Sequence, residues 1–200
     1  SPIEIEVFVH GALCMCYSGQ CFMSSVIGGR SGNRGMCAQP CRLPYGWGDL
    51  ANGHPLSLKD MSLAGHLRSL QDMGAACAKI EGRMKRPEYV YIVTKVYASA
   101  LREGREPTPG ELRQLEQAFS RQGFTDGYYT ARKGPDMFGV REESAPPREL
   151  FAQAKAAYSR GEGRQIPVKF YAMIRPGEPI QVGVEDQEGR VATAAGKVPE

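Results

Sequence analysis

Five of the six cysteines fall between residues 14 and 42, in CMCYSGQCFMSSVIGGRSGNRGMCAQPCR, a stretch with three arginines, many glycines and no aspartate or glutamate. Thiols spaced Cys14-x6-Cys21-x15-Cys37-x3-Cys41 on a glycine-rich backbone can fold tightly around a small inorganic centre. Four thiolates suit tetrahedral zinc or an iron–sulfur cube. A first gap of six residues is long for a zinc knuckle, and Arg30, Arg34 and Arg42 would offset the negative charge of a four-thiolate cluster. Spacing therefore favours iron–sulfur and leaves zinc open. Cys16 is a spare thiol or an alternative ligand. Cys77 stands apart in an apolar run and reads as a small buried hydrophobe.

The chain of 200 residues, 42% hydrophobic, is long enough to bury a core in one or two domains. Its net charge of +3 permits an anionic partner such as RNA without demanding one. No apolar run of eighteen residues exists, so no membrane-spanning helix is expected. Clustered thiols without a signal peptide point to a reducing, cytoplasmic setting rather than to secreted disulfides. The first residues, SPIEIEVFVHG, already form a strand without an initiator Met, and the last, VGVEDQEGRVATAAGKVPE, are expected to be the second strand of a hairpin with no further partner. Both ends read as cuts in a longer protein.

IEIEVFV (3–9) predicts a strand that places Glu4, Glu6 and His10 on one face. Residues 10–56 lack a sustained period, and a connection that long is expected to bind something. SLKD (57–60) predicts a capping box, with Ser57 as N-cap and Asp60 as its partner, opening a helix over roughly 60–73 with Met61, Leu63, Leu67 and Leu70 on one face and Gly74 as its stop. AACAKIEG (75–82) predicts a strand, and Pro87 opens a helix to about residue 103. Strand, loop, helix, strand, helix is the pattern of a parallel βαβα unit. TPGELRQLEQAFSRQ and PPRELFAQAKAAYSRGEG predict two more helices, separated by an aromatic, glycine-rich loop. IPVKFYAMI and IQVGVED predict strands joined by the turn RPGEP. The expected division is a core over 1–104 with its cysteine-bearing connection at 10–56, a helical extension over 105–163, and the start of a β-rich module at 164–200.

EVFVHGALCMCYSGQCFMS (6–24) resembles the signature of the U32 peptidase family, the collagenase-like proteins, through Glu6, Phe8, Gly11, Ala12, Leu13, Cys14, Gly19, Cys21, Met23 and Ser24. GRSGNRGMCAQPCR and KIEGRMKRPEYV are similar to later blocks of that family, and the resemblance extends to about residue 140. It implies an α/β fold in which this chain is the closing portion of a TIM-barrel-like core, followed by a small α+β or β-rich module. It also implies a 4Fe–4S cluster on Cys14, Cys21 and Cys37; the fourth ligand varies among members, and the pairing in CAQPC selects Cys41, with Cys16 and Cys77 as the alternatives.

Family members are named as proteases or collagenases, and others are tied to hydroxylation of tRNA, rRNA or ubiquinone precursors. The residues of this chain favour RNA base hydroxylation over proteolysis. HExxH and GxSxG are absent, and a Cys14–His10 nucleophile pair conflicts with Cys14 as a cluster ligand. Peptide or collagen cleavage and a non-catalytic iron–sulfur or zinc scaffold remain the alternatives. Because barrel enzymes place their chemistry on loops after strands, His10, Lys79, Glu81 and Arg83 are the candidate catalytic residues. Arg30, Arg34 and Arg42 are the candidate clamps for RNA phosphates or a small anionic co-substrate.

Overall fold

The computed structural model describes residues 3–17, 19–47, 50–141, 147–160 and 167–198. The chain forms two compact units, Ser1–Ala156 and Ala157–Glu200. The boundary expected between 163 and 164 lies outside the described residues.

In chain order the first unit contains β1 (Glu6–Ala12), α1 (Met23–Gly28), β2 (Tyr45–Trp47), β3 (Leu50–Gly53), β4 (Asp60–Ser62), α2 (Leu67–Asp72), β5 (Cys77–Ile80), α3 (Pro87–Glu103), α4 (Pro109–Ala118), β6 (Phe124–Thr125) and most of α5 (Arg148–Ser159), whose last turn crosses the boundary. One sheet runs in the order β5-β1-β4-β6, and β2 and β3 form a separate hairpin. The expected parallel unit is present, since β5 pairs parallel with β1. Between them in sequence, β4 enters antiparallel to β1 and parallel to β6, so the sheet is mixed.

This pairing corrects the helix expected over 60–73. Residues 60–62 are strand, Ala64–His66 is a single 3-10 turn, and only Leu67–Asp72 is α-helical. Three residues gaining ladders on both sides outweigh a helical apolar period, because tertiary pairing overrides weak propensity. Leu63, Leu67 and Leu70 are buried as that period requires. The capping box is not formed: Ser57 Oγ donates to the Gly139 carbonyl at 2.8 Å, and Asp60 is paired elsewhere. Gly74, at φ +86°, does close α2.

α3 follows its signals closely. Pro87 occupies the first turn, where its missing N–H costs nothing, and Gly104 at φ +61° ends the helix. Its stripe of Tyr89, Ile92, Val93, Val96, Tyr97 and Ala100 is buried against Val9, Leu63 and Leu67. Val90 lies off that stripe and is 41% exposed. α4 is capped by Thr108, which accepts from Glu111 N while Glu111 Oε2 accepts from Thr108 N. Leu115 and Ala118 of α4 and Ala154 of α5 complete the core. The glycine-rich stretch after α4, expected to be loop, contains β6 and a 3-10 turn at Pro135–Met137.

The second unit is an antiparallel sheet of β7 (Val168–Met173), β8 (Gln181–Asp186) and β9 (Val191–Ala195). The hairpin expected from the sequence is present as β7–β8, and β8 gains a further partner in β9. Asp186 organises the β8–β9 turn by accepting from Glu188 N, Arg190 N and Arg190 Nε.

Candidate functional site at one end of the sheet

β1 runs directly into the cysteine-bearing segment, and β5 runs into the turn Glu81–Arg86 beside it. Glu81 N donates to the His10 carbonyl at 2.8 Å. A register shift between Phe8 and His10 breaks the two-residue alternation, so Val9 and His10 are both buried. The shared face expected for Glu6 and His10 is lost at this irregularity: Glu6 stays exposed. Gly11 has φ +128°, and a Cβ there would lie 2.7 Å from Glu81 Cβ and 2.9 Å from Glu81 O. Only glycine allows the two strand ends to close this tightly.

His10 is 1% exposed. Its ring packs edge-on to Tyr97 and Phe124. Tyr97 O–H donates to the Val9 carbonyl at 2.9 Å, so the Tyr97 oxygen must accept the 3.1 Å bond from His10 Nδ1. This network assigns the proton to Nδ1 and leaves Nε2 a bare acceptor. That nitrogen is buried without a hydrogen-bond partner among the described residues. Desolvation, helped by the nearby charge of Lys85, lowers the His10 pKa to about 4, so the ring is neutral at pH 7. Burial likewise pushes the Tyr97 phenol well above its ordinary value.

A charged cluster adjoins it. Asp60 and Arg121 are 1% and 7% exposed, and Arg121 Nη1 donates to both Asp60 oxygens at 2.6 and 2.7 Å. The Phe119 ring carries three cations, with Lys85 Nζ 2.8 Å, Arg141 4.5 Å and Arg121 4.9 Å from its centroid. Desolvation is the first cause of a Lys85 pKa lowered to about 7. Asp60 opposes it, while Arg121, Arg141 and Arg42 reinforce it. Sequence reasoning missed this cluster. Its members come from four separated segments, and Asp60 carried only a helix-cap signal.

The cysteine-bearing segment is held by bonds that do not involve sulfur. Arg30 Nε donates to Met36 O, Asn33 Nδ2 to Gly19 O and Ala38 N to Ser24 Oγ, each at 2.9 Å. Gly35, at φ +74°, turns the chain beneath the Arg83 guanidinium, which donates to its carbonyl at 3.3 Å. Arg42 Nη1 donates to Leu58 O at 2.6 Å and Nη2 donates to Leu13 O. This guanidinium therefore ties Cys41's neighbour to the residue before Cys14. His54 Nδ1 donates to Arg42 O, and Tyr45 O–H donates to Pro40 O, so the hairpin braces the same turn.

All six cysteines are free. Cys14, Cys21 and Cys37 are exposed and Cys41 is partly buried. The segment crowds Cys14 enough that partial desolvation raises its pKa. The thiols of Cys41, Cys37 and Cys21 raise it further, and Arg42 opposes them. Gly32 lies between two of these positions: a Cβ there would be 3.7 Å from Cys37 Cβ and 4.0 Å from the Cys21 carbonyl. The four thiols thus share one neighbourhood. Among the described residues, however, no three His, Cys, Asp or Glu side chains are drawn close enough to hold an ion. Thiolates are the donors a thiophilic metal takes, so the set fits such a metal in kind. Cys77 is exposed rather than buried, which corrects the sequence expectation, because β5 is an edge strand. Its Sγ donates to Glu6 Oε2 at 3.5 Å, and this bond raises the thiol's pKa.

The other candidates separate by position. Glu81 and Arg83 stand beside the cysteine-bearing segment, and Arg83 N donates to Glu81 Oε1 at 3.1 Å. Lys79 lies back along β5 in a 2.5 Å ion pair with Glu6, over the Phe8 ring. Arg42 spends its guanidinium on backbone carbonyls. Arg30 spends its Nε in the same way. Arg34 closes the exposed 3-10 turn Gly32–Arg34. His10 has no bond to Cys14, so the nucleophile pair is not assembled.

Among curated proteins, the chain is 39% identical over 144 residues to a protein named collagenase from Porphyromonas gingivalis, covering 66% of this chain and 40% of that one. It is 41% identical over 149 residues to the 23S rRNA 5-hydroxycytidine C2501 synthase of Escherichia coli, covering 65% of this chain and 22% of that one. Against the tRNA hydroxylation protein P of Helicobacter pylori (strain ATCC 700392 / 26695), identity is 34% over 148 residues, covering 65% and 35%. The chain therefore spans less than half the length of these relatives. No solved structure matches. The model of Peptidase family U32 matches residues 1–138, and with more than half of its length so matched, the chain belongs to that family.

Proposed function

We propose that this chain carries the metal-binding end of a U32 enzyme that hydroxylates a base in tRNA or rRNA, with a 4Fe–4S cluster on Cys14, Cys21, Cys37 and Cys41. The observation that carries this reading is the gathering of four thiols in an acid-free segment at the sheet end. His10, Glu81 and Lys85 stand at the same end. Two relatives bear names of RNA hydroxylation. The mixed sheet is read as the closing part of a TIM-barrel-like core: Cys77, Ala78 and Lys79 of β5 are exposed, and Phe8 is 48% exposed. An RNA substrate places the protein in the cytoplasm. Among the described residues, no helix is long and apolar enough to cross a membrane.

In this reading the cluster supplies redox or Lewis-acid chemistry, and the chain's own residues arrange the site. Arg42 fixes the backbone at Leu13 and beside Cys41, which orients two of the ligands. Arg83 steadies the segment from the β5 side. Arg30 and Arg34 add positive charge near the thiolates. Neutral His10, with its proton on Nδ1, offers Nε2 as a hydrogen-bond acceptor. Bulky neighbours Tyr89, Tyr97 and Phe124 exclude water around it.

The test is iron analysis of anaerobically purified protein, coupled to RNA modification in cells lacking the native gene. About four irons per chain, lost in Cys14→Ala and Cys37→Ala together with the modified base, is the expected result. One zinc and no iron would overturn the cluster. Intact RNA modification in those variants, with cleavage of gelatin lost, would overturn hydroxylation in favour of the peptidase reading.

A further inference from the structure

We propose that Lys85, Arg121 and Arg141, grouped around the Phe119 ring beside Asp60, bind a phosphate group. The proposal concerns a second subsite at the same sheet end and does not depend on iron or on hydroxylation.

Charge balance is the first argument. Three cations lie within 5 Å of one ring centroid. Arg42 acts on the same lysine from the side of the cysteine-bearing segment. Among the described residues, Asp60 is the carboxylate that acts most on Lys85, and Arg121 already engages both its oxygens. Among the described residues, Lys85 and Arg141 have aromatic rings but no carboxylate or carbonyl as partners. A surplus of partly desolvated positive charge is costly, and the depressed basicity of Lys85 expresses that cost. An oxyanion placed among these groups would remove it.

Available donors are the second argument. Arg121 uses Nη1 on Asp60, and its Nε and Nη2 make no hydrogen bond among the described residues. Two guanidinium forks and one ammonium match the several oxygens of a phosphate, with arginine contributing directed pairs and lysine a point charge. Arg141 is exposed and Lys85 partly so, which leaves the cluster open on one side. The rings of Phe119 and Tyr89 hold the lysine in place before any ligand arrives.

Such a phosphate can belong to a nucleic-acid backbone or to a small phosphorylated molecule. Lysine acetylation of the intact protein near pH 7, read by mass spectrometry, distinguishes them. The probes are inorganic phosphate and a short oligoribonucleotide without terminal phosphates, at matched ionic strength. Without ligand, Lys85 should label faster than exposed Lys95 and Lys133, because more of its amine is neutral. Phosphate binding should slow Lys85 about fivefold and leave Lys95 and Lys133 unchanged, since an amine made one unit more basic than about 7 falls from about half neutral to about a tenth neutral near pH 7. Protection by the oligoribonucleotide at lower concentration than phosphate assigns the site to a backbone, and protection by phosphate alone assigns it to a small molecule. Arg141→Gln, an exposed change, should weaken either protection severalfold. Equal labelling of Lys85 with and without both probes would overturn the proposal, whatever the iron content.

Discussion

The sheet end and the cysteine-bearing segment adjoin each other, yet they are held by opposite means. At the sheet end, Asp60, Arg121 and His10 are almost wholly removed from water and satisfied mainly by one another and by Tyr97. In the segment, the thiols are open to solvent, and exposed side chains clasp backbone carbonyls instead. The first arrangement is intolerant of change, because an unpaired buried charge is costly. The second is tolerant, because water can replace most of its bonds. The contrast separates residues that keep the fold from residues that can be altered to test chemistry.

The largest effect expected is at Arg121. Arg121→Leu leaves the Asp60 carboxylate buried and unpaired and should cost about 3–5 kcal/mol in denaturant unfolding. The double change Asp60→Leu with Arg121→Leu should recover most of it. A single variant as stable as the parent would show the pair to be solvated after all.

His10 comes next. Its folded pKa, about 4, lies below the ordinary unfolded value of about 6.5. The unfolded chain therefore binds the extra proton first, so stability is full above pH 6.5 and declines as pH falls toward 4. The loss should approach roughly 3 kcal/mol. Lys85, with its lowered pKa, acts mainly above pH 7 and does not obscure this window. Urea titrations from pH 7 to 5 should show the decline in the parent and little of it in His10→Asn; equal slopes would remove His10 as the cause.

Gly11→Ala should destabilise by about 1–3 kcal/mol through its left-handed backbone and the contact with Glu81. Calorimetry that finds the variant unchanged would mean β1 and β5 can part freely at that end. Smallest of all, single Cys→Ala changes at 14, 21 and 37 should shift the metal-free protein by less than about 0.5 kcal/mol while removing metal binding. A large loss in the metal-free form would erase the distinction between the two regions.

Much of this contrast was legible in residues, though unevenly. Pro87, Gly104, Thr108 and Glu111 mark their helix ends locally, so α3 and α4 are read from neighbours in sequence. The placing of Cys14, Cys21, Cys37 and Cys41 on one segment was likewise visible in the chain itself. β4 was not: DMS is three residues long, lies in a helical apolar period, and becomes a strand only because β1 and β6 flank it. Nor was the Phe119 cluster, since nothing in the local sequence of Lys85 or Arg141 announces a shared ring 119 residues into the chain. Chemistry carried by one segment is readable before folding, whereas chemistry assembled from several needs the topology.

The clasp made by Arg42 has a consequence for the order of assembly. Its bonds to Leu13 and Leu58, like those of Arg30 and Asn33, form without sulfur. On the cluster reading, the polypeptide therefore matures first and is charged with its inorganic cargo afterwards, and a chain stripped of that cargo keeps the scaffold needed to be reloaded.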